Sequence, residues 1–585
     1  MTTRSVALTA LVAAVEVVAR DIKVDIPSNL APRLLVPDVY GYSIEPIWVN
    51  DYVSTPLTAN LMSIIANITG KPPGIRVGGN TADQTYIHDT LPTGNDSVAI
   101  PDLASTKQFN ITPHWYDGWA DYFPQGTEII YTLNLGVNTS AWADAVAEAA
   151  AAHAALGGKL ALLELGNEID HFINKGWRDQ SWGVATYLEQ FRNLTGQIQA
   201  AEWYQATDAA ARPKIQAGVF ADPPWVPDQQ DEVDDFSIDN LTRAETARDR
   251  EIIGTYATHL YPQSTCDTPR WLRMRLDLLS DHGVLWRNVS QYIPQAAAAD
   301  AAGAFLVMGE TNSVSCGGRS GISDTFGAAL WAVDYVLLDA AVGVRKTYFH
   351  LGAQSEYSAF TPNPYPWKNE SLAGGIRAGW YAHYFVAKVA AAAAAEELTV
   401  AALPAANSSD FSGYAVFAGE QVRKLVFLDM GVWNGTEGLS NNSTLSATDG
   451  TSFSNGTRPD TAVQVATPWC AGQSVAVTRL TAPGTNAKSL VAVSGVHFDP
   501  LTGDKIGRET REVLAVGANG SLAVTLKRAE AVLLEVTGAA ANCSVAVPPP
   551  SGGGESPPIS AAGGKAVAWG GMVVAAVGAA LVLGL

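Results

Sequence analysis

Two glutamates that lie far apart in the chain stand at the ends of apolar segments of the same kind. Glu168 follows the apolar run in KLALLELGNEID at residues 159–170, and Glu310 follows the run in AFLVMGETN at residues 304–312. Two carboxyl groups can hydrolyse an acetal bond between them, because one protonates the leaving oxygen while the other stabilises or attacks the cationic carbon. A separation of about 5 Å would give retention and about 6.5 to 9.5 Å inversion, and sequence spacing leaves both open.

The two carboxyl groups would need opposite environments. The general acid must hold its proton near the working pH, which burial or a negative neighbour promotes, whereas the second carboxylate must stay ionised among hydrogen-bond donors. If the second carboxylate becomes an ester, its charge disappears, and the pKa of the acid falls so that the same group can act next as a base. We therefore expect a raised pKa at one glutamate and a lowered pKa at the other.

Eight apolar segments alternate with helical patterns between residues 34 and 390. Segments that are apolar on both faces are typical of parallel strands covered by helices. Eight strand–helix units in about 350 residues predict a (β/α)8 TIM barrel. A doubly wound open sheet is the alternative, but no G-x-G-x-x-G motif follows the first segment. The segments are RLLVPDVYGYSIE, GIRVGGN, EIIYTLNLG, KLALLELGNE, KIQAGVFAD, IIGTYATHLYP, AFLVMGETN and VRKTYFHLG.

The position of both glutamates in these segments has a consequence for the site. Catalytic groups of such barrels lie at the C-terminal ends of the strands, because those ends and their loops form one open face. Glu168 ends the fourth segment and Glu310 the seventh. Both are therefore predicted to face the same cavity.

The pattern changes after residue 395 to short β-rich segments separated by Gly, Asn and Ser turns, such as YAVFAGEQVRKLVFLDMG and SLAVTLKRAEAVLLEV. Such segments are typical of an antiparallel β-sandwich. The predicted fold class is thus α/β plus all-β, with a (β/α)8 TIM barrel over residues 34–390 followed by a C-terminal antiparallel β-sandwich domain over residues 396–545. A strand from residues 20–33 is a candidate to join the sandwich.

Both ends of the chain resemble processing signals. Residues 1–19 predict a signal peptide, with Arg4 before an apolar stretch. A Pro-, Gly- and Ser-rich linker at residues 546–565 precedes twenty uncharged residues, 566–585. Small residues, a polar spacer and an apolar terminus match the signal for a glycosylphosphatidylinositol anchor, and a plain C-terminal membrane anchor is the alternative.

The number of glycosylation sequons also indicates export. Fifteen Asn residues, including Asn67, Asn434 and Asn519, stand in N-x-S/T sequons, where chance would give about four. We therefore expect a secreted, extracellular glycoprotein that is anchored to the cell membrane or wall.

Composition argues against nucleic acid as a partner, and the cysteines predict disulfides rather than a metal site. The 37 basic and 57 acidic residues give a net charge of −20, so nucleic acid is not expected, because phosphate binding needs clustered Lys and Arg. The spacing of Cys and His residues predicts no metal site. An even number of cysteines in an exported protein suggests two disulfides, and we predict Cys266 with Cys316 and Cys470 with Cys543, because each pair falls in one predicted domain.

Six motifs in order along the chain resemble glycoside hydrolase family 79, the β-glucuronidase and heparanase group, and in particular its fungal members. They are GYSIEPIW, IRVGGNTAD, LELGNEID, THLYP, GETNS and FHLG, and the resemblance extends from about residue 35 into the β domain. The resemblance implies a retaining mechanism with Glu168 as acid/base and Glu310 as nucleophile. It further implies that Asn167 binds the sugar 2-hydroxyl and that Tyr261 donates its hydroxyl hydrogen to Glu310.

The resemblance implies roles for further residues around this pair. Glu45 and Asn80 would bind ring hydroxyls, and Arg76 would pair with a catalytic carboxylate or orient its neighbours. The backbone N–H of Gly352 and the side chain of Tyr357 would contact the carboxylate of a glucuronic acid. His259 is either a support near Tyr261 or a satisfied interior histidine, and no spacing makes it a metal ligand.

The predicted function is that of a retaining exo-β-glucuronidase without a cofactor. Its substrate would be a β-glucuronide or acidic polysaccharide that ends in β-linked glucuronic acid or the 4-O-methyl form. Three alternatives stay open: a neutral-sugar β-glycosidase of the same clan, an endo-acting heparanase-like enzyme, and a catalytically silent surface carbohydrate-binding protein. The sequence makes no prediction of the oligomeric state.

Overall fold

The computed structural model describes residues 20–91, 108–136, 140–222, 235–352, 355–367, 370–393, 396–404, 407–435, 454 and 457–538. All of these residues belong to one compact unit, Met1–Cys543. The predicted signal peptide, the linker and the anchor signal lie outside the described residues. Among the described residues, no helix has the length and apolar character that a bilayer span requires.

Short strands predominate in the described part of the chain. The strands are β1 (Arg20–Asp25), β2 (Arg33–Leu35), β3 (Tyr40–Ile44), β4 (Gly74–Val77), β5 (Thr85–Ile87), β6 (Phe109–Ile111), β7 (Ile129–Leu133), β8 (Leu160–Leu165), β9 (Lys214–Phe220), β10 (Ile253–Leu260), β11 (Gln263–Ser264), β12 (Phe305–Thr311), β13 (Val314–Ser315), β14 (Thr347–Leu351), β15 (Phe360–Thr361), β16 (Tyr365–Trp367), β17 (Glu370–Leu372), β18 (Gly375–Ile376), β19 (Leu398–Ala402), β20 (Phe411–Ala418), β21 (Gln421–Asp429), β22 (Asp460–Ala466), β23 (Ser474–Thr481), β24 (Ala492–Val493), β25 (His497–Phe498), β26 (Lys505–Ile506), β27 (Glu512–Ala515), β28 (Ser521–Lys527) and β29 (Glu530–Val536).

The helices lie mainly between the strands from β3 to β18. They are α1 (Val49–Val53), α2 (Leu57–Thr69), α3 (Ser140–Leu156), α4 (Val184–Ala200), α5 (Glu202–Ala206), α6 (Ile238–Ala244), α7 (Ala247–Ile252), α8 (Thr268–Trp271), α9 (Leu276–Leu279), α10 (His282–Val289), α11 (Tyr292–Ala301), α12 (Phe326–Val342) and α13 (Ala378–Ala390).

Eight of the strands form a closed parallel barrel, as the eight apolar segments predict. Around the barrel the order is β3, β4, β7, β8, β9, β10, β12 and β14, and β14 pairs with β3 to close it. Every predicted segment contributes one strand in chain order, and each strand is mostly buried because helices cover the outside of the barrel. The (β/α)8 TIM barrel is confirmed.

The C-terminal domain consists of two facing sheets. The larger sheet has the order β2, β19, β20, β21, β29, β23 and β24, with β27 also on β23, and the smaller sheet has the order β1, β22 and β28. Side chains from both sheets, such as Phe427 and Val463, share one buried core. The other face of the larger sheet belongs to the barrel's core through residues such as Tyr414 and Val426. The C-terminal β domain is confirmed, although β1 runs parallel to β22 within it.

The first predicted segment divides between the two parts of the fold. Residues Arg33–Leu35 pair with β19 of the C-terminal sheet, and the barrel strand begins only at Tyr40. A boundary at residue 34 therefore does not describe the chain, because a turn at residues 37–38 separates RLL from YGYSI. The N-terminal strands β1 and β2 both lie in the sheets of the C-terminal domain.

Helix α12 is apolar on all sides, as its sequence FGAALWAVDYVLLDAAV indicates, because it is covered all round. It packs on α13 and α10 and on strand β19 of the larger sheet. Asp334 of this helix accepts a hydrogen bond from the Tyr414 hydroxyl (2.6 Å) and contacts the ring of His282 (2.7 Å). These buried polar contacts join the barrel side to the C-terminal sheet.

The sequons differ in their accessibility. Asn67 and Asn519 are exposed, as a glycan requires. Asn434 is only 2% exposed, so a glycan there would not fit the folded chain. The sequence pattern cannot distinguish such a site because N-x-S/T specifies no burial.

Candidate active site

The two predicted catalytic glutamates face each other at the C-terminal ends of the barrel strands. Glu168 lies in the turn after β8, and Glu310 lies near the end of β12. One carboxylate oxygen of each lies within 4.8 Å of the other, and a ring nitrogen of His259 lies within the same distance of both. The barrel therefore brings together two groups that are far apart in the sequence.

A strained turn presents Glu168 to the cavity. Strand β8 ends at Leu165, Gly166 has a φ of 75°, and Glu168 itself has the left-handed values φ 52° and ψ 55°. A non-glycine residue in this region is uncommon and costs on the order of 1 kcal/mol or more. The turn is held by the Asn167 N–H, which donates to Asp83 Oδ2 at 2.8 Å. Glu168 thus lies beyond the strand rather than at its last position.

Glu310 is surrounded by donors. The Tyr261 hydroxyl donates to Glu310 Oε1 at 2.7 Å, as the family resemblance implies, and Arg76 Nη1 donates to Oε2 at 2.9 Å. His350 Nδ1 lies 3.5 Å from the same Oε2. Burial alone would raise the pKa of Glu310, but the rings of His350 and His259 and the Arg76 guanidinium hold it below its usual value. A carboxylate in this setting stays ionised, as a nucleophile must.

Arg76 is the centre of a buried polar network inside the barrel. Its side chain is fully buried, and besides Glu310 it binds Glu164 Oε1 through Nη2 at 2.5 Å and through Nε at 2.9 Å. Arg76 Nη2 also donates to Asn167 Oδ1 at 2.8 Å, and Nη1 donates to Ser43 Oγ at 2.9 Å. The predicted pairing of Arg76 with a catalytic carboxylate is present in the structure.

Glu164 is a site residue that sequence reasoning missed. It lies on β8 and, besides Arg76, accepts hydrogen bonds from Thr132 of β7 and Gln216 of β9. Thr255 of β10 in turn donates to Gln216 Oε1 at 2.8 Å. The sequence carries a signal for Glu164: it is a charged residue inside an otherwise apolar strand, and a buried charge needs a partner.

Each carboxylate oxygen of Glu168 faces a histidine. His259 Nδ1 lies 3.2 Å from Oε1, and His171 Nδ1 lies 3.8 Å from Oε2. A register shift between Thr258 and His259 in the β10–β12 pair sets His259 opposite Glu310. Among the described residues, His259 Nε2 has no hydrogen-bond partner, which favours Nδ1 as the nitrogen that carries hydrogen and donates to Glu168.

The pKa of Glu168 differs in direction from the expectation for a general acid. Burial raises it, but the hydrogen bond from His259 and the charges of Lys175 and His171 together bring it below its usual value. In this arrangement both glutamates are therefore ionised at neutral pH. The expectation of a raised pKa considered burial and like charge, whereas three basic side chains near Glu168 outweigh both.

Glu45, which follows β3, lies at the same face and binds the loop after β4, which contains Asn80. Glu45 Oε1 accepts from the Asn80 N–H at 2.9 Å, and Oε2 accepts from the Thr81 N–H at 2.8 Å and from Thr81 Oγ1 at 2.5 Å. Gly79, with a φ of 130°, is required here because a Cβ would lie 2.4 Å from the Glu45 carboxyl carbon. Burial and the charge of Glu310 raise the pKa of Glu45 to about 7. Lys175 Nζ donates to Asn80 Oδ1 at 2.9 Å.

Gly352 and Tyr357, after β14, lie on the Glu310 side of the site. The Tyr357 ring centroid is 6.3 Å from that of Tyr261 and 6.0 Å from that of His350. The Tyr357 hydroxyl lies 3.4 Å from the position that a Cβ on Gly352 would take. Burial and then the negative charges of Glu310 and Glu45 raise the pKa of Tyr357 well above its usual value, so its hydroxyl remains a donor.

The chain is similar to known glycoside hydrolases. Residues 413–533 match the profile of the glycosyl hydrolase family 79 C-terminal beta domain. A protein of Neurospora crassa named beta-glucuronidase is 30% identical over 504 residues, which cover 80% of this chain and 85% of the relative. The chain belongs to glycoside hydrolase family 79. An Aspergillus niger protein, also named beta-glucuronidase, is 26% identical over 541 residues, covering 88% of this chain and 93% of its own length.

Solved structures similar to this family 79 chain show the same fold. A crystal structure of a 4-O-alpha-L-rhamnosyl-beta-D-glucuronidase from Fusarium oxysporum aligns with a TM-score of 0.69 at 22% identity, covering 88% of this chain and 100% of that chain. A GH51 arabinofuranosidase from Xanthomonas axonopodis pv. citri aligns with a TM-score of 0.53 at 13% identity, covering 89% of this chain and 100% of that chain. The family 79 chain is thus a glycoside hydrolase on a barrel with a C-terminal β domain.

The disulfide Cys266–Cys316 joins the loops after two barrel strands of the family 79 domain, β10 and β12. Short strands β11 and β13 pair beside it, so the loop after Tyr261 and the loop after Glu310 are tied together. This disulfide was predicted and is confirmed. Cys470 is also disulfide-bonded, and its predicted partner, Cys543, lies outside the described residues.

Within the described part of the chain, two groups of three donors at the site of the family 79 enzyme have spacing compatible with a metal ion. One is Glu168, His259 and Glu310, and the other is Asp170, His171 and Asp222. In the second group His171 Nε2 contacts Asp222 Oδ2 at 2.8 Å, and this hydrogen bond helps to raise the pKa of His171 to about 9, against burial. A protonated imidazole has no lone pair for a metal, so the second group is an ion pair at neutral pH.

Proposed function

We propose that this family 79 enzyme is a retaining, exo-acting β-glucuronidase that removes terminal β-linked glucuronic acid, or its 4-O-methyl form, from extracellular glycans. The observation that carries the mechanism is the approach of Glu168 and Glu310 to within 4.8 Å, which fits the separation of about 5 to 5.5 Å of retaining enzymes rather than that of inverting enzymes. The two fungal relatives named beta-glucuronidase support the substrate class.

The first step forms a covalent intermediate on Glu310. An ionised Glu310 oxygen attacks the anomeric carbon, the bond to the leaving oxygen breaks, and Glu168, which must be protonated for this step, gives that oxygen its proton. Because Arg76 donates to Asn167 Oδ1, the Nδ2 amide of Asn167 remains a donor for the sugar 2-hydroxyl. That hydrogen bond would strengthen as positive charge develops on the ring.

The second step returns the enzyme to its starting state. Glu168, now ionised, takes a proton from water, the water oxygen attacks the anomeric carbon, and the ester bond to Glu310 breaks. The esterified Glu310 carries no charge, so the pKa of Glu168 falls further and its role as a base is favoured. The basic side chains around Glu168 support this step directly, because they already hold its pKa low.

Recognition of the glucuronate carboxylate is assigned to Gly352 and Tyr357. A backbone N–H and a tyrosine hydroxyl are both neutral donors, and Tyr357 packs near Tyr261 and His350 on the Glu310 side of the cavity. Asn80 and Glu45 are assigned to the ring hydroxyls. A neutral-sugar glycosidase of the same clan would not need a carboxylate contact. The variants Gly352→Pro, which removes the N–H, and Tyr357→Phe distinguish a glucuronidase from such an enzyme, because in a glucuronidase they should reduce activity selectively on glucuronides.

The decisive experiment uses a panel of 4-nitrophenyl glycosides with the wild type, Glu310→Gln and Glu148→Gln. Glu148 is a matched control, because it is a fully buried glutamate of α3 that the proposed mechanism does not use, and burial raises its pKa. We expect release from the β-glucuronide, its loss in Glu310→Gln and its retention in Glu148→Gln. NMR should show β-glucuronic acid as the first product.

Other outcomes would select an alternative function. Turnover of a glucoside or galactoside alone would identify a neutral-sugar glycosidase, and cleavage only within a polymer would identify an endo-acting enzyme. Binding of acidic polysaccharide without any turnover would identify a carbohydrate-binding protein and would contradict the proposal.

The proposed location is the cell surface, with export by the N-terminal signal and a glycosylphosphatidylinositol anchor. The sequons and the two terminal segments support this location. Treatment of intact producing cells with phosphatidylinositol-specific phospholipase should release the enzyme. Retention on the membrane after this treatment would favour the plain C-terminal anchor, and an enzyme found only inside the cell would contradict export.

A further inference from the structure

His171 and Asp222 form a half-buried ion pair behind the acid/base glutamate. His171 lies in the turn that follows Glu168, and its Nε2 contacts Asp222 Oδ2 at 2.8 Å in the loop after β9. Its other nitrogen, Nδ1, points to Glu168 Oε2 at 3.8 Å. Asp170 holds the backbone of that loop, since its carboxylate accepts from the Ala221 and Asp222 N–H groups. The imidazole is thus fixed between two carboxylates.

The charge state of this histidine follows from its neighbours. Burial lowers its pKa, but the hydrogen bond with Asp222 and the charges of Asp170 and Glu168 raise it to about 9. A charged imidazole 3.8 Å from a carboxylate oxygen favours the ionised carboxylate. The charged or titratable groups facing His171 and Glu168 are Asp170 and Lys175 from the same turn, Asp222 from the loop after β9, His259 from β10 and Glu310 from β12.

We propose that the Asp222–His171 pair is a positioning device that sets the pH at which Glu168 takes up the proton for the first step. The proposal deepens the proposed function and rests on it in its kinetic part. His259 donates a hydrogen bond to Oε1, whereas His171 supplies a charge at Oε2, so the two histidines act differently on one carboxylate. The pair confines acid catalysis to acidic pH and keeps Glu168 ionised as the base of the second step.

The kinetic test needs two substrates, because the rate with a good leaving group depends little on proton donation by Glu168. Methyl β-D-glucuronide has a poor leaving group and needs the proton of Glu168, whereas 4-nitrophenyl β-D-glucuronide needs it much less. For His171→Gln we expect the alkaline limb of kcat/KM on the methyl glucuronide to move up by about one pH unit, since an opposite charge at this range shifts a pKa by about one to three units. The kcat/KM on the nitrophenyl glucuronide should change far less.

Two further variants complete the test. Asp222→Asn keeps the imidazole but removes the charge that holds its proton, so the limb should move in the same direction by a smaller amount. His114→Gln is the matched control, because His114 contacts Asp117 at 2.9 Å in a His–Asp pair that is largely exposed and lies outside the active site. Its pH profile should equal that of the wild type.

An infrared titration measures the pKa of Glu168 without turnover. The carboxylate band that disappears in Glu168→Gln identifies Glu168, and its midpoint should be about one pH unit higher in His171→Gln than in the wild type. An unchanged midpoint in His171→Gln and Asp222→Asn overturns the inference, whether or not the enzyme cleaves glucuronides. Absence of glucuronide cleavage with a shifted midpoint would overturn only the proposed substrate. A profile that chelators shift would instead identify Asp170, His171 and Asp222 as a metal site and would also overturn the inference.

Discussion

The hydroxyl of Tyr261 offers the sharpest test of how the site keeps its nucleophile ionised. Tyr261→Phe removes one hydrogen bond of 2.7 Å to Glu310 Oε1 and leaves the ring in place. A hydrogen bond to a charged group contributes about 1.5 to 3 kcal/mol, and about 1.36 kcal/mol corresponds to one pKa unit. We expect the pKa of Glu310 to rise by about one to two units. It should not return fully to its usual value, because Arg76 and His350 still face Glu310.

The sign of this change determines the assay. Glu310 must be ionised to attack, so kcat/KM falls as the pH falls through its pKa, and a raised pKa moves that acid limb upward. The profile of kcat/KM against pH on 4-nitrophenyl β-D-glucuronide should show the limb about one to two units higher in Tyr261→Phe. Tyr357→Phe is the matched comparison: it should raise KM for the glucuronide and leave the acid limb where it is in the wild type. An acid limb that stays in place in Tyr261→Phe would refute the reasoning.

Two further predictions concern stability. Arg76→Met leaves the buried carboxylate of Glu164 without its cation, so we expect the free energy of unfolding in denaturant to fall by about 3 to 5 kcal/mol. The double variant with Glu164→Gln should recover part of this loss. Equal midpoints for the wild type and Arg76→Met would contradict the prediction. Replacing Cys266 and Cys316 by Ser opens a link across 50 residues, which should cost about 4 kcal/mol and lower the melting temperature. An unchanged melting temperature in this variant would show that the loops need no covalent tie.

The barrel could be predicted because its strands are buried on both faces. Each apolar segment is short, ends in a small or polar residue and is followed by a helical pattern, so the eightfold repetition is visible without any knowledge of contacts. The division of the first segment was not visible. RLL and YGYSI are both apolar, and only the pairing partners, β19 for one and β14 for the other, separate them. Pairing with strands so distant in the chain leaves no local signal.

The proximity of Glu168 and Glu310 could be predicted from their places at the strand ends, but their surroundings could not. Lys175 and His171 follow Glu168 closely in the chain, and their effect depends on the tight turn at residues 166–168, which folds them back beside the carboxylate. The expectation of a raised pKa came from the role of general acid, which the family resemblance implies for Glu168. In the structure the left-handed turn places Glu168 beyond the strand and next to basic side chains.

The same charge distribution explains why an acidic substrate would be bound by neutral groups. Arg76 is fully buried and already binds two carboxylates, and Lys175 donates to Asn80. His171 is engaged by Asp222. A glucuronate carboxylate that displaced Glu164 or Glu310 from Arg76 would leave a buried carboxylate uncompensated, which costs several kcal/mol. Donors without charge, such as a backbone N–H or a tyrosine hydroxyl, can bind a substrate carboxylate without disturbing the cations that favour the ionised forms of Glu168 and Glu310.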